Sequence, residues 1–435
     1  MDTVATASPR RIAQLALPAL VVLAAEPLYV LVDTAVVGHL GSVPLAAVAV
    51  GGTVITVAAW LGTILAYGTT GRSARRFGAG DRAAAVAEGI QASWLAFGAG
   101  VALAIVMQFA AGPLARALAG NPEVAGEAAL WMRIAALGAP GLLLAAAGNG
   151  WMRGVQDTRR PLAYVLGANL LSAILCPLLV YPVGLGLVGS AIANVVAQSV
   201  AGGFFAAALL RERVPWRPHP RVIGDQLRMG RDLLIRGGAF QVSFLSATAV
   251  AARFGTATVG GHQIAMQLWF FTALVLDAVA IAAQSLVGAA LGAGDAAGAR
   301  ALARRVALAG LVCGVAFTVV IAAAAGPLPG LFTTDPAVRD QAAVAWPWFA
   351  AMQPVAGVVF ALDGVLVGAG DVRFLRDMTV MAALVFFVPS IWVAYVLDWG
   401  LAGIWGGLTL FVVVRCVALL WRLRSGTWAV VGAVR

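Results

Sequence analysis

The sequence predicts an all-α polytopic membrane protein: twelve transmembrane helices in two parallel-repeat six-helix bundles. Hydropathy, the placement of arginine and an internal repeat carry that prediction. Of 435 residues, 61% are hydrophobic and 11% charged, and the mean hydropathy is +0.92, far from the composition of a soluble domain. About 20 apolar residues cross the hydrocarbon core of a bilayer. Twelve such stretches follow one another: 12–38, 45–70, 84–111, 125–151, 162–182, 187–210, 232–253, 259–287, 303–325, 341–366, 375–396 and 401–421.

Arginine gives these spans a direction. All 29 basic residues are Arg. With the N-terminus placed in the cytoplasm, twenty-three fall at the two termini and in alternate loops on that side. Arg116, Arg253 and Arg339 fall on the other side, and Arg133, Arg236 and Arg415 within spans. Such an asymmetry predicts cytoplasmic termini and an even number of spans. It also accounts for the net charge of +10 without a nucleic-acid partner. The first apolar run is too long for a signal peptide and lacks a small-residue cleavage site after it. Cys176, Cys313 and Cys416 fall in spans, where a thiol reads as a small apolar filler, so no disulfide framework is expected.

Shifting the chain by 214 residues superposes its halves. FGAGD (77–81) falls on LGAGD (291–295), Pro113 on Pro327, Pro122 on Pro336, Pro140 on Pro354, Asp157 on Asp371 and Gly189 on Gly403. Each half holds six spans, an even number, so the halves share one orientation about an axis along the membrane normal. The domains read as lobes 1–210 and 232–435, joined by a polar cytoplasmic linker, 211–231, in part an interfacial helix. In this register Glu26 meets Phe240 and Asp33 meets Ala247, so the chemistry of the halves differs.

Glu26 and Asp33 lie in the first span, seven residues apart. On a helix that is about two turns and roughly 10.5 Å, so both share one face. A carboxylate in hydrocarbon costs roughly 2.5–3.5 kcal/mol and normally faces a cavity or a partner. Desolvation disfavours its charge, which lets it bind and lose a proton near neutrality. Pro27 removes a backbone donor and frees the Leu23 carbonyl, so this helix can bend where its acids sit. The structural alternative pairs the acids with Arg133 or Arg236. A second tier holds Asn149 and Asp363, which are equivalent in the repeat and precede Gly150-x3-Gly154 and Gly364-x3-Gly368, spacings that permit close helix approach. It also holds Asp277 with Gln284, Asn169, Asn194 and Gln198, and His262, Gln263 and Gln267. Interhelical hydrogen bonding is the commoner role of membrane amides. No metal site is indicated, and the GAGD segments are turns rather than phosphate loops.

LVDTAVVGHLG (31–41), AAVAVG (46–51), the GAGD turns, RGVQDTRRP (153–161) and MGRDLLIR (229–236) together resemble the multidrug and toxic compound extrusion (MATE) family, most of all its DinF-like branch, over essentially the whole chain. The resemblance implies a two-lobe antiporter expelling amphipathic, often cationic compounds in exchange for protons or sodium. It also implies that Asp33 is the first-helix aspartate whose protonation drives release. The family's fifth helix commonly carries an Asn-x3-Asp pattern that hydrogen-bonds this aspartate. Here Asn169 remains, but Ser172 and Cys176 stand at those two places, and Glu26 is the candidate replacement for the missing acid.

The expected function is therefore efflux by alternating access, proton-coupled through Asp33 and Glu26. Asn169, Asn149, Asp363, Asp277, Gln263 and Arg236 complete the candidate proton and substrate site, and no cofactor is expected beyond the coupling ion. Sodium would want several converging oxygens, which Asp363 and Asp277 could help supply. The expected setting is a bacterial inner membrane, with a monomeric protein acting on small amphipathic or cationic substrates. The alternatives are a flippase for a lipid-linked precursor, for which in-span cations are few, and a membrane-embedded enzyme using Glu26 and Asp33, for which the outer loops leave little room.

Overall fold

A computed structural model describes residues 9–434. Nearly all of them are helical: α1 Pro9–Gly38, α2 Ser42–Gly78, α3 Arg82–Ala119, α4 Pro122–Ala136, α5 Ala139–Gly154, α6 Arg159–Val180, α7 Gly186–Arg211 and α8 Pro220–Arg253. There follow α9 Thr256–Gly292, α10 Ala296–Ala323, α11 Pro327–Phe332, α12 Pro336–Gly368, α13 Val372–Met381, a π-helical turn Ala382–Phe387, α14 Val388–Val396 and α15 Gly400–Ser425. Among the described residues eleven helices are long and apolar enough to cross a membrane, with α13 to α14 counted as one span, and α4 with α5 makes a twelfth, bent by 48°.

The chain divides into two units, residues 18–227 and residues from 228 onward, the latter grouped with those up to 17. Within the first, α2, α3 and α5 pack on one another, with α7 against α5 and α6; within the second, α9, α10 and α12 repeat that arrangement, with α15 against α12. The 214-residue register holds for helix limits, because α2 maps onto α9 and α7 onto α15 at both ends. It holds for capping as well. Asp81 accepts a hydrogen bond from the Ala84 N–H at 2.8 Å, and Asp295 accepts one from Gly298 at 2.7 Å, after Gly80 and Gly294 at φ +83° and +81°. The GAGD segments are thus left-handed turns into N-capped helices.

Close backbone contacts repeat too. A Cβ on Gly150 would lie 2.7 Å from the Ala66 carbonyl oxygen, and its repeat partner Gly364 abuts Ala280. Gly100 meets Pro140, and Gly314 meets Pro354. Here glycine is a packing residue that lets helices approach to backbone contact.

Three details depart from the sequence reading. The span at 125–151 breaks at Leu137 and Gly138 into α4 and α5, whereas its repeat, α12, runs unbroken through Pro354. Both carry the proline, but only the first half has glycines at 138 and 141, which press on the α7 backbone at Val195 and Gln198. Residues 220–231 are not a separate interfacial helix; they are the first turns of α8. The rest of the linker lies along α3, where the Gln91 side chain donates to the Arg217 carbonyl and accepts from the His219 N–H, and Trp94 donates to the Trp216 carbonyl.

Candidate functional site: an acidic cavity in residues 18–227

α1 runs as one helix through Pro18 and Pro27 and presents Val22, Glu26, Tyr29 and Asp33 on one side. These residues line a cavity of about 680 Å³ whose walls come entirely from the unit 18–227. α2 contributes Thr53, Thr56 and Thr63, α4 contributes Trp131, α5 contributes Asn149 and Arg153, α6 contributes Asn169, and α7 contributes Asn194 and Gln198. Each of the three threonines donates its hydroxyl to a carbonyl three or four residues back, so α2 offers a mildly polar, uncharged wall.

Asp33 is buried, 5% exposed. Its Oδ1 accepts two hydrogen bonds, from the Ser190 hydroxyl at 2.7 Å and from the Cys176 thiol at 3.2 Å. The Trp131 indole N–H donates to the Ser190 oxygen at 3.3 Å, which orients that hydroxyl toward Asp33. No described residue donates to Oδ2. One carboxylate oxygen is therefore fixed by donors, and the other is available to a proton or to a ligand in the cavity. Cys176 is thus more than the filler its sequence context suggests: it is a hydrogen-bond donor to the central acid. One turn before Asp33, the Tyr29 hydroxyl accepts from the Asn194 amide at 3.3 Å. The Tyr181 hydroxyl donates to the Val36 carbonyl at 2.6 Å, tying the end of α1 to α6.

Glu26 is solvent-accessible in the cavity wall, and no described residue is hydrogen-bonded or ion-paired with it. The pairing of these acids with Arg133 or Arg236 does not occur: Arg133 is exposed, and Arg236 pairs with Asp363. Asn149 is buried with its Oδ1 unbonded. Arg153 belongs to the last turn of α5, not to a loop, and its buried side chain adds one positive charge to the lining. Together the charged lining is Glu26, Asp33 and Arg153 on a surface otherwise made of apolar, aromatic and uncharged polar side chains.

Of the residues singled out by sequence, Asp33, Glu26, Asn149, Asn169, Asn194 and Gln198 meet on this cavity. Asp363, Asp277, Gln263 and Arg236 belong to the other unit. Asp363 is held there by both Arg236 and Arg415, so it is an ion-pair partner rather than an open oxygen ligand. Gln263 is exposed on α9. Tyr29, Trp131 and Ser190 carry no signal in the sequence, since a lone aromatic or hydroxyl in a span is common, and Arg153 lies beyond the apolar run 125–151; their proximity to Asp33 or the cavity reveals them.

The MatE family pattern matches residues 18–178 and 238–396, one match per half. Protein DETOXIFICATION 44, chloroplastic, from Arabidopsis thaliana is 34% identical across 96% of this chain and 83% of its own length. DNA damage-inducible protein F of Escherichia coli (strain K12) is 30% identical across 97% of this chain and 94% of its own. Among solved structures, a MATE protein in a bent conformation superposes with a TM-score of 0.89 over 98% of each chain at 23% identity, which shows a shared fold. The chain belongs to the MatE family of multidrug efflux transporters, multi-pass membrane proteins that are transporters rather than enzymes.

Proposed function

We propose that the protein is a proton-coupled antiporter that exports amphipathic, cationic compounds through the cavity of residues 18–227, with Asp33 as the proton site and Glu26 as its partner acid. The observation that carries this reading is the asymmetry at Asp33: Oδ1 is fixed by Ser190 and Cys176, and Oδ2 is left for a proton or a cation. Proton and cation compete for that oxygen, and competition for one site is the simplest coupling. A ligand drives alternating access only by binding the two access states differently. Protonation of Asp33 removes its attraction for a cation, and loss of the proton restores it.

A proton suits this site better than sodium, which wants several converging oxygens, while Asp363 is already engaged by two guanidinium groups. The arginine asymmetry supports cytoplasmic termini, and the bacterial relatives support an inner membrane. Adding ethidium to purified protein in weakly buffered detergent solution is expected to release up to one proton per ethidium bound, the yield rising as the pH is lowered, as competition for a single carboxylate requires, and none at any pH in Asp33→Asn. Ethidium binding without proton release in the wild type across the whole pH range in which the protein stays folded would contradict the proposal.

A further inference from the structure

The repeat places a second, differently charged group of residues where the second half would have its counterpart of the cavity. Val22, Glu26, Asn149 and Ala201 line the cavity in the first half. At the 214-residue shift their equivalents are Arg236, Phe240, Asp363 and Arg415, and the structure brings these four together. Both guanidinium groups bind the same atom, Asp363 Oδ2. Both also stand over the Phe240 ring, with the guanidinium carbons of Arg236 and Arg415 5.4 and 4.8 Å from its centroid.

Two cations share one carboxylate, which leaves one positive charge in excess. Arg415 is 5% exposed and Asp363 8%. A salt bridge built only to join helices needs one arginine; a second buried guanidinium without its own anion is costly. Among the described residues, nothing accepts from the buried Arg236 Nε and nothing donates to the buried Asp363 Oδ1. Buried polar atoms of this kind normally have a partner. Beside the cations stand two half-buried rings, Phe240 and Phe244, 6.3 Å apart; the buried Phe411 backs Phe240 at 5.7 Å and is itself backed by the buried Phe387 at 5.8 Å. The ion pair of Arg422 with Asp371 joins the end of α15 to the turn after α12, so the group sits one to three turns inside the arginine-rich end of this unit.

We propose that Arg236 and Arg415 form a binding site for the oxyanion of an acidic amphiphile, whose apolar part rests on Phe240 and Phe244. The excess positive charge receives the head group, as guanidinium pairs bind carboxylate or phosphate. Asp363 holds the two arginines side by side and, in the absence of the ligand, offsets half of their charge. The oxyanion comes either from an acidic solute or from an acidic lipid head group. The site is independent of the proton-coupled cavity.

Binding of radiolabelled laurate to the purified full-length protein, read by scintillation proximity in neutral detergent, tests this. Saturable binding is expected in the wild type and in Asp33→Asn. Arg415→Gln should weaken it by about tenfold or more, the scale of losing a charge-assisted contact, while leaving tetraphenylphosphonium binding unchanged. Asp363→Asn, which keeps both arginines and removes the competing carboxylate, should tighten it. Equal laurate binding in the wild type and Arg415→Gln, or weaker binding in a folded Asp363→Asn, would overturn the proposal; the second variant decides if the first does not fold. Repeating the assay in nanodiscs assigns the source. Loss of laurate binding in phosphatidylglycerol but not in phosphatidylcholine identifies a lipid head group, and equal binding in both identifies a solute.

Discussion

Glu26→Gln is expected to cut proton-driven ethidium efflux by about tenfold or more, close to the effect of Asp33→Asn, although its side chain has no partner to lose. The charged lining of the cavity is Glu26, Asp33 and Arg153. Replacing Glu26 by glutamine removes one of the two acids of the lining, and a cationic substrate loses much of its electrostatic advantage. In a low-dielectric pocket one charge readily exceeds the roughly 1.4 kcal/mol that tenfold in binding represents. The seven-residue spacing places Glu26 two turns along α1 from Asp33, where it can hold one end of a substrate while Asp33 exchanges its proton. Efflux rates in proteoliposomes for Glu26→Gln and Glu26→Asp check this, with the aspartate variant retaining part of the activity. A fully active Glu26→Gln would remove Glu26 from the mechanism and leave Asp33 as the sole acid.

A larger effect on the fold itself is expected from Gly357→Leu. Gly310 and Gly357 face one another across α10 and α12, and a Cβ on either would run into the other's backbone carbonyl. The neighbouring contacts of Gly314 with Gln353 and Pro354 are also to backbone, so no flexible side chain is present to give way. Overpacking a tight core costs about 1–3 kcal/mol, and more where backbone must move. Gly98 lies on an exposed helix face with nothing within 4 Å of its Cβ position, so Gly98→Leu is the matched control. Thermal unfolding in detergent, followed by tryptophan fluorescence, should show a markedly lowered Tm or no folded protein for Gly357→Leu and little change for Gly98→Leu.

The spans and the repeat are legible in the sequence because each rests on many residues: apolar runs of about 20 and a register that returns the same Gly, Pro and Asp every 214 positions. The broken helix at Gly138 is not legible from the prolines, because Pro140 and Pro354 look alike; Gly138 and Gly141 differ between the halves, but their effect shows only in their contact with α7. For the site, intramembrane acids announce themselves by their cost, so Glu26 and Asp33 stood out. Ser190 did not, since a hydroxyl in a span is cheap and common, and Cys176 is marked only by its place in the family pattern, not by its own chemistry. Asp363 stood out for the same reason as Asp33, and cost alone could not reveal that its compensation is a pair of arginines. Arg153 reads as a loop residue because it lies beyond the apolar run 125–151, whereas α5 continues to Gly154.

The central claim is that Asp33 couples substrate to protons, and ethidium transport in proteoliposomes under an imposed pH gradient tests it most directly, comparing the wild type with Asp33→Asn in the presence and absence of sodium. Transport that follows the proton gradient, ignores sodium and disappears in Asp33→Asn is the predicted result. A transporting wild type indifferent to the gradient, or a fully active Asp33→Asn, would contradict the account and return Asp33, with Ser190 and Cys176, to a purely structural role.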